Sequence, residues 1–96
     1  MEPTIIERDM AVSHADFRRT LPAALGRRPS DDGNGTFILA DGRRKVTIAL
    51  GPEEERALGQ MRFPRTRVRI ELSGYDEADV KAFLERFDAY FRRGGG

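Results

Sequence analysis

The residues that a nucleophilic mechanism would need are scarce in this chain. The single histidine, His14, directly follows Ser13, and the side chains of adjacent residues in a helix do not face each other. The other serines, Ser30 and Ser73, fall in predicted turns. Because the chain contains no cysteine, thiol catalysis and Cys-ligated metal sites are excluded. We therefore predict no catalytic residues and expect that the protein is not an enzyme.

Carboxylates are the remaining groups with potential for acid–base or metal chemistry, and they cluster at Asp31–Asp32 and Glu53–Glu55. An EF-hand calcium loop needs a glutamate at its twelfth position, which here is Gly42 or Arg43. The sequence offers no second imidazole and no phosphate-cradling glycine motif. We therefore predict no metal and no cofactor. The less favoured alternative is a small carboxylate-dependent enzyme, which requires acidic groups with strongly shifted pKa values in a pocket.

The basic residues are almost all arginines, 15 against Lys45 and Lys81. Arginine side chains suit phosphate and carboxylate recognition, although a GC-rich genome produces the same bias without any function. The net charge is only +1, from 17 basic and 16 acidic groups. The chain as a whole therefore has no general attraction to nucleic acid or to an anionic membrane, and any basic site must be local.

The elements that would position such a site follow from hydrophobic periodicity and helix-capping signals. One helix is predicted from Ser13 to Gly26, with a kink at Pro22, and a second from Asp76 to Arg93. Residues 27–35 are predicted to form a loop, and one or two helical turns are predicted to begin at 51–55. The predicted strands are Thr4–Val12, Thr36–Ala40, Arg43–Leu50 and Arg65–Ser73.

This order, β-α-β-β-β-α, predicts an α+β fold. We expect a two-layer sandwich with a mostly antiparallel sheet and both helices packed on one face. Residues 1–93 are predicted to form a single domain, and residues 94–96 a flexible glycine tail.

The clearest local signal is Asp41-Gly42 between two β-prone segments, which predicts a hairpin with a type I′ turn. In that register Phe37 lies opposite Val46 and Ala40 opposite Arg43. The face that carries Phe37 is apolar and is predicted to join the core. The other face is predicted to carry the binding site. Five cations are expected there against Glu71 and whichever of Glu7 or Asp9 lies nearby, and the cations are Arg43, Lys45, Arg65, Arg67 and Arg69.

The expected partner of this basic face is a macromolecule. The face contains no aromatic residue, so it lacks the stacking platform of sheet-type single-strand binders. We therefore predict a small adaptor or regulatory domain that binds protein. Nucleic-acid binding through the arginine-rich face is the first alternative, and a homodimer remains open. Because the sequence shows neither a signal peptide nor a transmembrane segment, we expect a cytoplasmic protein without membrane contact.

Overall fold

The computed structural model describes residues 2–94 of the chain. Five strands form one antiparallel sheet in the order β1-β5-β4-β3-β2, and two helices in contact with each other cover one side of it. The elements in chain order are β1 (Thr4–Met10), α1 (His14–Leu25), β2 (Ser30–Asp31), β3 (Thr36–Asp41), β4 (Arg44–Leu58), β5 (Met61–Ser73) and α2 (Glu77–Gly94). The predicted α+β fold is confirmed, with the two-residue strand β2 added inside the predicted loop.

The predicted glycine tail begins inside the last helix. Gly94 is the final residue of α2. Gly95 and Gly96, the rest of that prediction, lie outside the described residues.

Both helices begin at the predicted capping residues. The Oγ of Ser13 accepts a hydrogen bond from the backbone N–H of Asp16 (3.1 Å), and Oδ1 of Asp76 accepts one from the N–H of Asp79 (2.8 Å). Each bond satisfies a donor that helix geometry leaves without a partner. α1 ends at Gly26, which adopts the left-handed conformation with φ 79°, as the sequence predicts.

The carboxyl-terminal end of α1 is held by a side chain of α2. Arg86 donates from Nε to the carbonyl oxygen of Ala24 (3.1 Å) and from Nη2 to that of Ala23 (3.0 Å). Both carbonyls lie in the last turn of α1, where helix geometry leaves carbonyl oxygens without a regular N–H donor; the oxygen of Ala23 also accepts from the N–H of Gly26 (3.3 Å). α1 is a single helix from His14 to Leu25 with Pro22 inside it, so the predicted interruption does not divide it.

The β3–β4 hairpin differs from its predicted register by two residues. Asp41 pairs with Arg44, because the turn lies at Gly42-Arg43. Gly42 has a φ of 62° and Arg43 has no positive φ, the pattern of a type II′ turn, which favours glycine at its first central position. A shift of two residues keeps the strand side chains on their predicted faces. Arg43 is the exception, since it lies in the turn.

The prediction of helical turns beginning at residues 51–55 is wrong. β4 continues to Leu58, the chain turns at Gly59-Gln60, and β5 returns from Met61. Beyond the ends of β3 and β1, these two strands pair only with each other among the described strands. Residues 53–65 therefore form a projecting two-stranded ribbon, which we call the arm. The molecule measures 46 Å along its longest axis against 27 and 22 Å along the others.

A β-bulge stands where a helix start is predicted. Gly51 and Pro52 together face Arg67, which shifts the β4–β5 register by one residue and bends the strand. Proline is tolerated there because the pairing of β4 with β3 has already ended at Ala49. Proline and acidic residues favour a helix start, but the helix also needs an apolar stripe that it can bury. Residues 53–58 are exposed throughout, so no such stripe follows and no helix forms.

The hydrophobic core lies between the helices and one face of the sheet. Phe17 and Leu21 of α1 and Phe87 and Phe91 of α2 are buried there. Leu84, which the helical spacing assigns to the same stripe, is only half-buried and lines a trough on the outer side of α2. The sheet contributes one face of its strands, with buried side chains at Phe37, Val46, Ile48, Val68, Ile70 and Leu72.

Candidate interaction surface on the open face of the sheet

The side of the sheet opposite the helices, which we call the open face, carries four of the five predicted cations. Lys45 lies there on β4, and β5 contributes Arg65, Arg67 and Arg69 at alternate positions. Arg43 does not join them. Because Gly42 takes the first central position of the β3–β4 turn, Arg43 is the second turn residue and lies at the end of the sheet.

Acidic residues of the edge strand lie beside this basic row. Glu7 of β1 pairs in register with Arg69, and Asp9 pairs with Arg67. Opposite charges on directly facing residues of antiparallel strands attract each other. The open face is therefore mixed in charge, because its basic column on β5 runs beside an acidic column on β1.

Arg65, at the base of the arm, lies between two carboxylates. Glu54 faces it across the β4–β5 ribbon, and Oδ1 of Asp9 lies 3.0 Å from its Nε. This contact is an ion pair rather than a hydrogen bond, because the buried Nε–H is not directed at the carboxylate. Arg65 is therefore already engaged within the molecule and is less available to a ligand than Arg67 or Arg69.

The largest exposed apolar side chains in the described part of the chain also share the open face. Ile5 is 48% exposed and Ile38 37%, while Leu58 and Met61 are 70% and 69% exposed. Leu58 and Met61 pair with each other at the tip of the arm. Single exposed apolar residues are ordinary. Here all four lie on one side of the sheet, so the open face offers apolar contact points from the edge strand β1 to the tip of the arm.

Small residues of β4 open a depression in the middle of the open face. Its volume is about 500 Å³. Ala49 and Gly51 form its floor, and because neither has a large side chain, the backbone of β4 is exposed there. Two basic and two acidic side chains surround this floor. Its lining includes Glu7, Asp9, Ala49, Gly51, Arg67 and Arg69.

His14 and Ser13 are occupied by structural contacts on the other side of the sheet. Nε2 of His14 donates a hydrogen bond to the carbonyl oxygen of Gly51 (2.8 Å). The backbone N–H of His14 donates to Oε1 of Glu53 (2.7 Å). Ser13 caps α1 through its contact with Asp16. Together these bonds fix the bulge and the base of the arm to the start of α1.

The two predicted carboxylate clusters do not converge on a common point. Strand alternation sends Glu53 and Glu55 to the side of the helices and Glu54 to the open face. Glu55 pairs with Arg62 at 2.8 Å. Among the described residues, no three His, Asp or Glu side chains form a group suited to a metal ion.

Asp32 shapes the loop before β3. Its Oδ1 accepts hydrogen bonds from the backbone N–H groups of Asn34 (2.7 Å) and Thr36 (3.0 Å). These bonds, first that of Asn34, hold the pKa of the Asp32 carboxyl below its ordinary value. A general acid needs the opposite shift, so this carboxylate serves the loop.

Acidification is expected to loosen this loop only at low pH. A pKa that is lower in the folded state means that the hydrogen bonds of Asp32 contribute fully above its unfolded pKa, about 3.9. That contribution is lost as the pH falls through the lower folded value. The amide proton shifts of Asn34 and Thr36 should follow this titration, whereas Asp32→Asn should abolish it. A midpoint at or above the ordinary value would contradict the assignment.

The residues that sequence analysis missed are those of the arm. The sequence predicts one or two helical turns after residues 51–55 and no strand between Leu50 and Arg65, so it gives Leu58 and Met61 no place in the sheet. The signal that identifies them is Gly59, since glycine followed by one residue between strand partners is typical of a type II′ hairpin, and Gly59 has a φ of 62°.

None of the helices in residues 2–94 combines the length and apolar character that crossing a lipid bilayer requires. No protein-family model, no curated protein and no solved structure matches this chain.

Proposed function

We propose that this protein is a small interaction domain that binds a protein partner across the open face of its sheet. The observation that carries the proposal is the shared location of Ile5, Ile38, Leu58 and Met61 on that face. Protein interfaces combine apolar anchors with a polar surround. The partner that fits is a protein surface with apolar side chains spaced along an extended line and with charges of both signs between them.

The charges on this face favour protein over nucleic acid. A phosphate backbone is attracted by a cluster of bases, and each acid beside them weakens that attraction. The row formed by Arg65, Arg67 and Arg69 is accompanied by Glu7 and Asp9 on the neighbouring strand. A protein partner can match both signs, which gives specificity and orientation.

Nucleic-acid binding is the second candidate, because two of the arginines are exposed and free. Within the described residues, neither Arg67 nor Arg69 has a carboxylate within 4.0 Å of its guanidinium, the distance that defines the ion pairs of this structure. If this candidate is right, affinity for mixed RNA or DNA oligomers falls steeply with salt. Arg67→Glu or Arg69→Glu then weakens it.

Site-specific photocrosslinking in cells that express the protein tests both candidates together. We expect a photoreactive residue at Ile38 or Leu58 to form protease-sensitive adducts. The matched position is Ala82, which is exposed on α2 and should give none. The double variant Arg67→Glu, Arg69→Glu should reduce the Ile38 adduct, because two of the charges that orient the partner are reversed.

The outcomes separate the two partners. Adducts removed by nuclease and not by protease would replace the protein proposal with the nucleic-acid one. Equal labelling at Ile38 and Ala82, or no adduct at Ile38 and Leu58, would reject the open face as a binding surface.

A further inference from the structure

β1 is an edge strand whose outer side is regular and unpaired. It ends the sheet in the order β1-β5-β4-β3-β2, and its seven residues contain neither proline nor a bulge. Edge strands of this kind are templates for pairing with another chain unless they are protected. The opposite edge is different, because the two-residue strand β2 covers part of β3.

Three positions of a two-fold axis, at Ile6, Glu7 or Arg8, pair at least five residues of β1 with a second copy, and the charges of the strand select one of them. Directly opposed residues of an antiparallel pair point to the same face of the sheet. A two-fold axis perpendicular to the sheet therefore lies between one residue and the same residue of the second copy. An axis at Glu7 places Glu7 opposite itself, and one at Arg8 places Arg8 opposite itself. An axis at Ile6 places Ile6 opposite Ile6, Ile5 opposite Glu7 and Thr4 opposite Arg8, and no like charges face each other directly. Like charges in directly opposed positions are destabilising.

The trough on the outer side of α2 has a pattern that complements itself. It follows one stripe of the helix, whose residues are spaced three or four positions apart. Along this stripe an acidic and a basic residue come first, a leucine lies in the middle, and an acidic and a basic residue follow. Against an antiparallel copy of itself, the stripe brings Glu77 to Arg92 and Lys81 to Asp88, with Leu84 at the centre. The five residues in order are Glu77, Lys81, Leu84, Asp88 and Arg92.

The two patterns share one axis. Nη2 of Arg8 lies 3.2 Å from Oδ2 of Asp88, so these two residues mark the same level of the strand and of the helix. Ile6 lies two residues earlier on β1, about 7 Å away, which corresponds to four or five residues of a helix at about 1.5 Å each. α2 runs back along β5, because Asp79 near its start reaches Arg44 beside the end of β5, whereas Asp88 reaches Arg8, which pairs with Val68. Since β1 is antiparallel to β5, α2 and β1 run in the same direction. The level of Ile6 is therefore that of Leu84.

We propose that two copies of this chain form a dimer in which β1 pairs antiparallel with β1 about a two-fold axis at Ile6. The two sheets then become one ten-stranded sheet, and the α2 helices pack on each other through Leu84. Exposed Ile5 and half-buried Leu84 lose contact with water on the two faces of the joint. The proposal does not rest on the proposed function. It covers Ile5, one of the four apolar residues of the open face, and leaves Ile38 and the arm free for another partner.

A charge-exchange experiment tests the dimer. Sedimentation velocity of the wild-type protein should show a dimer that dissociates on dilution. Lys81→Glu and Asp88→Lys each place like charges opposite each other twice per dimer, so each variant alone should associate about tenfold more weakly or worse. An equimolar mixture of the two variants restores both opposite-charge pairs and should recover the dimer. Lys45→Glu, which reverses the charge of the chain's other lysine and lies on the open face away from the proposed joint, should leave association unchanged.

Three results would overturn the proposal. They are a wild-type protein that stays monomeric at its highest soluble concentration, a dimer that both single variants leave intact, and a mixture that associates no better than its components. Circular dichroism of the single variants should match that of the wild type, because Lys81 is exposed and Asp88 half-exposed. Deuterium exchange at the β1 amides reports the strand pairing separately, since protection should rise with concentration in the wild type and not in Lys81→Glu.

Discussion

Replacing Phe17 with alanine is expected to lower the free energy of unfolding by about 3–5 kcal/mol. Phe17 is fully buried, and its ring stacks on that of Phe91 with the centroids 4.8 Å apart. The ring of Phe37 lies 5.8 Å away and that of Phe87 6.3 Å away. Phe17 thus joins α1 to α2 and to the sheet, and the cavity left by its removal touches all three.

This loss is large relative to the total stability of a single domain. Single domains are stable by about 5–15 kcal/mol, so the loss removes about a fifth of that stability or more. Without cysteines, no disulfide compensates. Urea unfolding followed by circular dichroism should show the midpoint shift with little change in slope.

Leu58→Ala is the matched control for this prediction. It also removes a large apolar side chain, but Leu58 is 70% exposed at the tip of the arm. Substitutions at exposed positions usually change stability by no more than about 0.5 kcal/mol. If Phe17→Ala cost no more than Leu58→Ala, the aromatic cluster would not be the centre of the core.

The helices were predictable because their signals are local. Ser13 and Asp76 each precede an amphipathic stripe and bond to a backbone N–H three residues later. Gly26 likewise provides the left-handed conformation that ends α1. Such signals depend only on residues within a few positions of each other, and a single sequence contains all of them.

The arm was not predictable by the same reasoning. Strands are recognised by apolar side chains at every second position, and that alternation appears only where one face of the strand is buried. Residues 53–58 are exposed on both faces, so the pattern is missing. Pro52 and the three glutamates after it then match a helix start. The bulge that Gly51 and Pro52 form depends on how they pair with Arg67 in β5, which no pattern around residues 51–55 specifies.

Four of the five cations of the candidate site were predictable, but the positions of the acids beside them were not. Alternation along β5 places Arg65, Arg67 and Arg69 on one face without any knowledge of the neighbouring strand. Their acidic neighbours depend on the register of β1, which pairs Glu7 with Arg69 across more than 60 residues of chain. No local pattern specifies that register. A surface that looks basic in one strand is therefore mixed in the sheet.

The second large effect is expected for Gly74→Ala, with a loss of about 2–5 kcal/mol in the free energy of unfolding. Gly74 joins β5 to the start of α2 and has a φ of 78°, in the left-handed region. A Cβ atom at this position would lie 2.1 Å from the carbonyl oxygen of Arg43 and 2.9 Å from its carbonyl carbon. Both are backbone atoms of the β3–β4 turn, so no side-chain rotation relieves the contact.

Gly42→Ala separates the two parts of this cost. Gly42 also has a positive φ, 62°, but a Cβ atom there meets nothing within 4 Å. That variant should lose only the conformational part, about 1–2 kcal/mol. The difference between the two variants measures how firmly the β3–β4 turn is held against the β5–α2 connection. Thermal and urea unfolding of both proteins supply it, and equal losses would mean that the turn moves aside at no cost and that Gly74 is needed only for its backbone conformation.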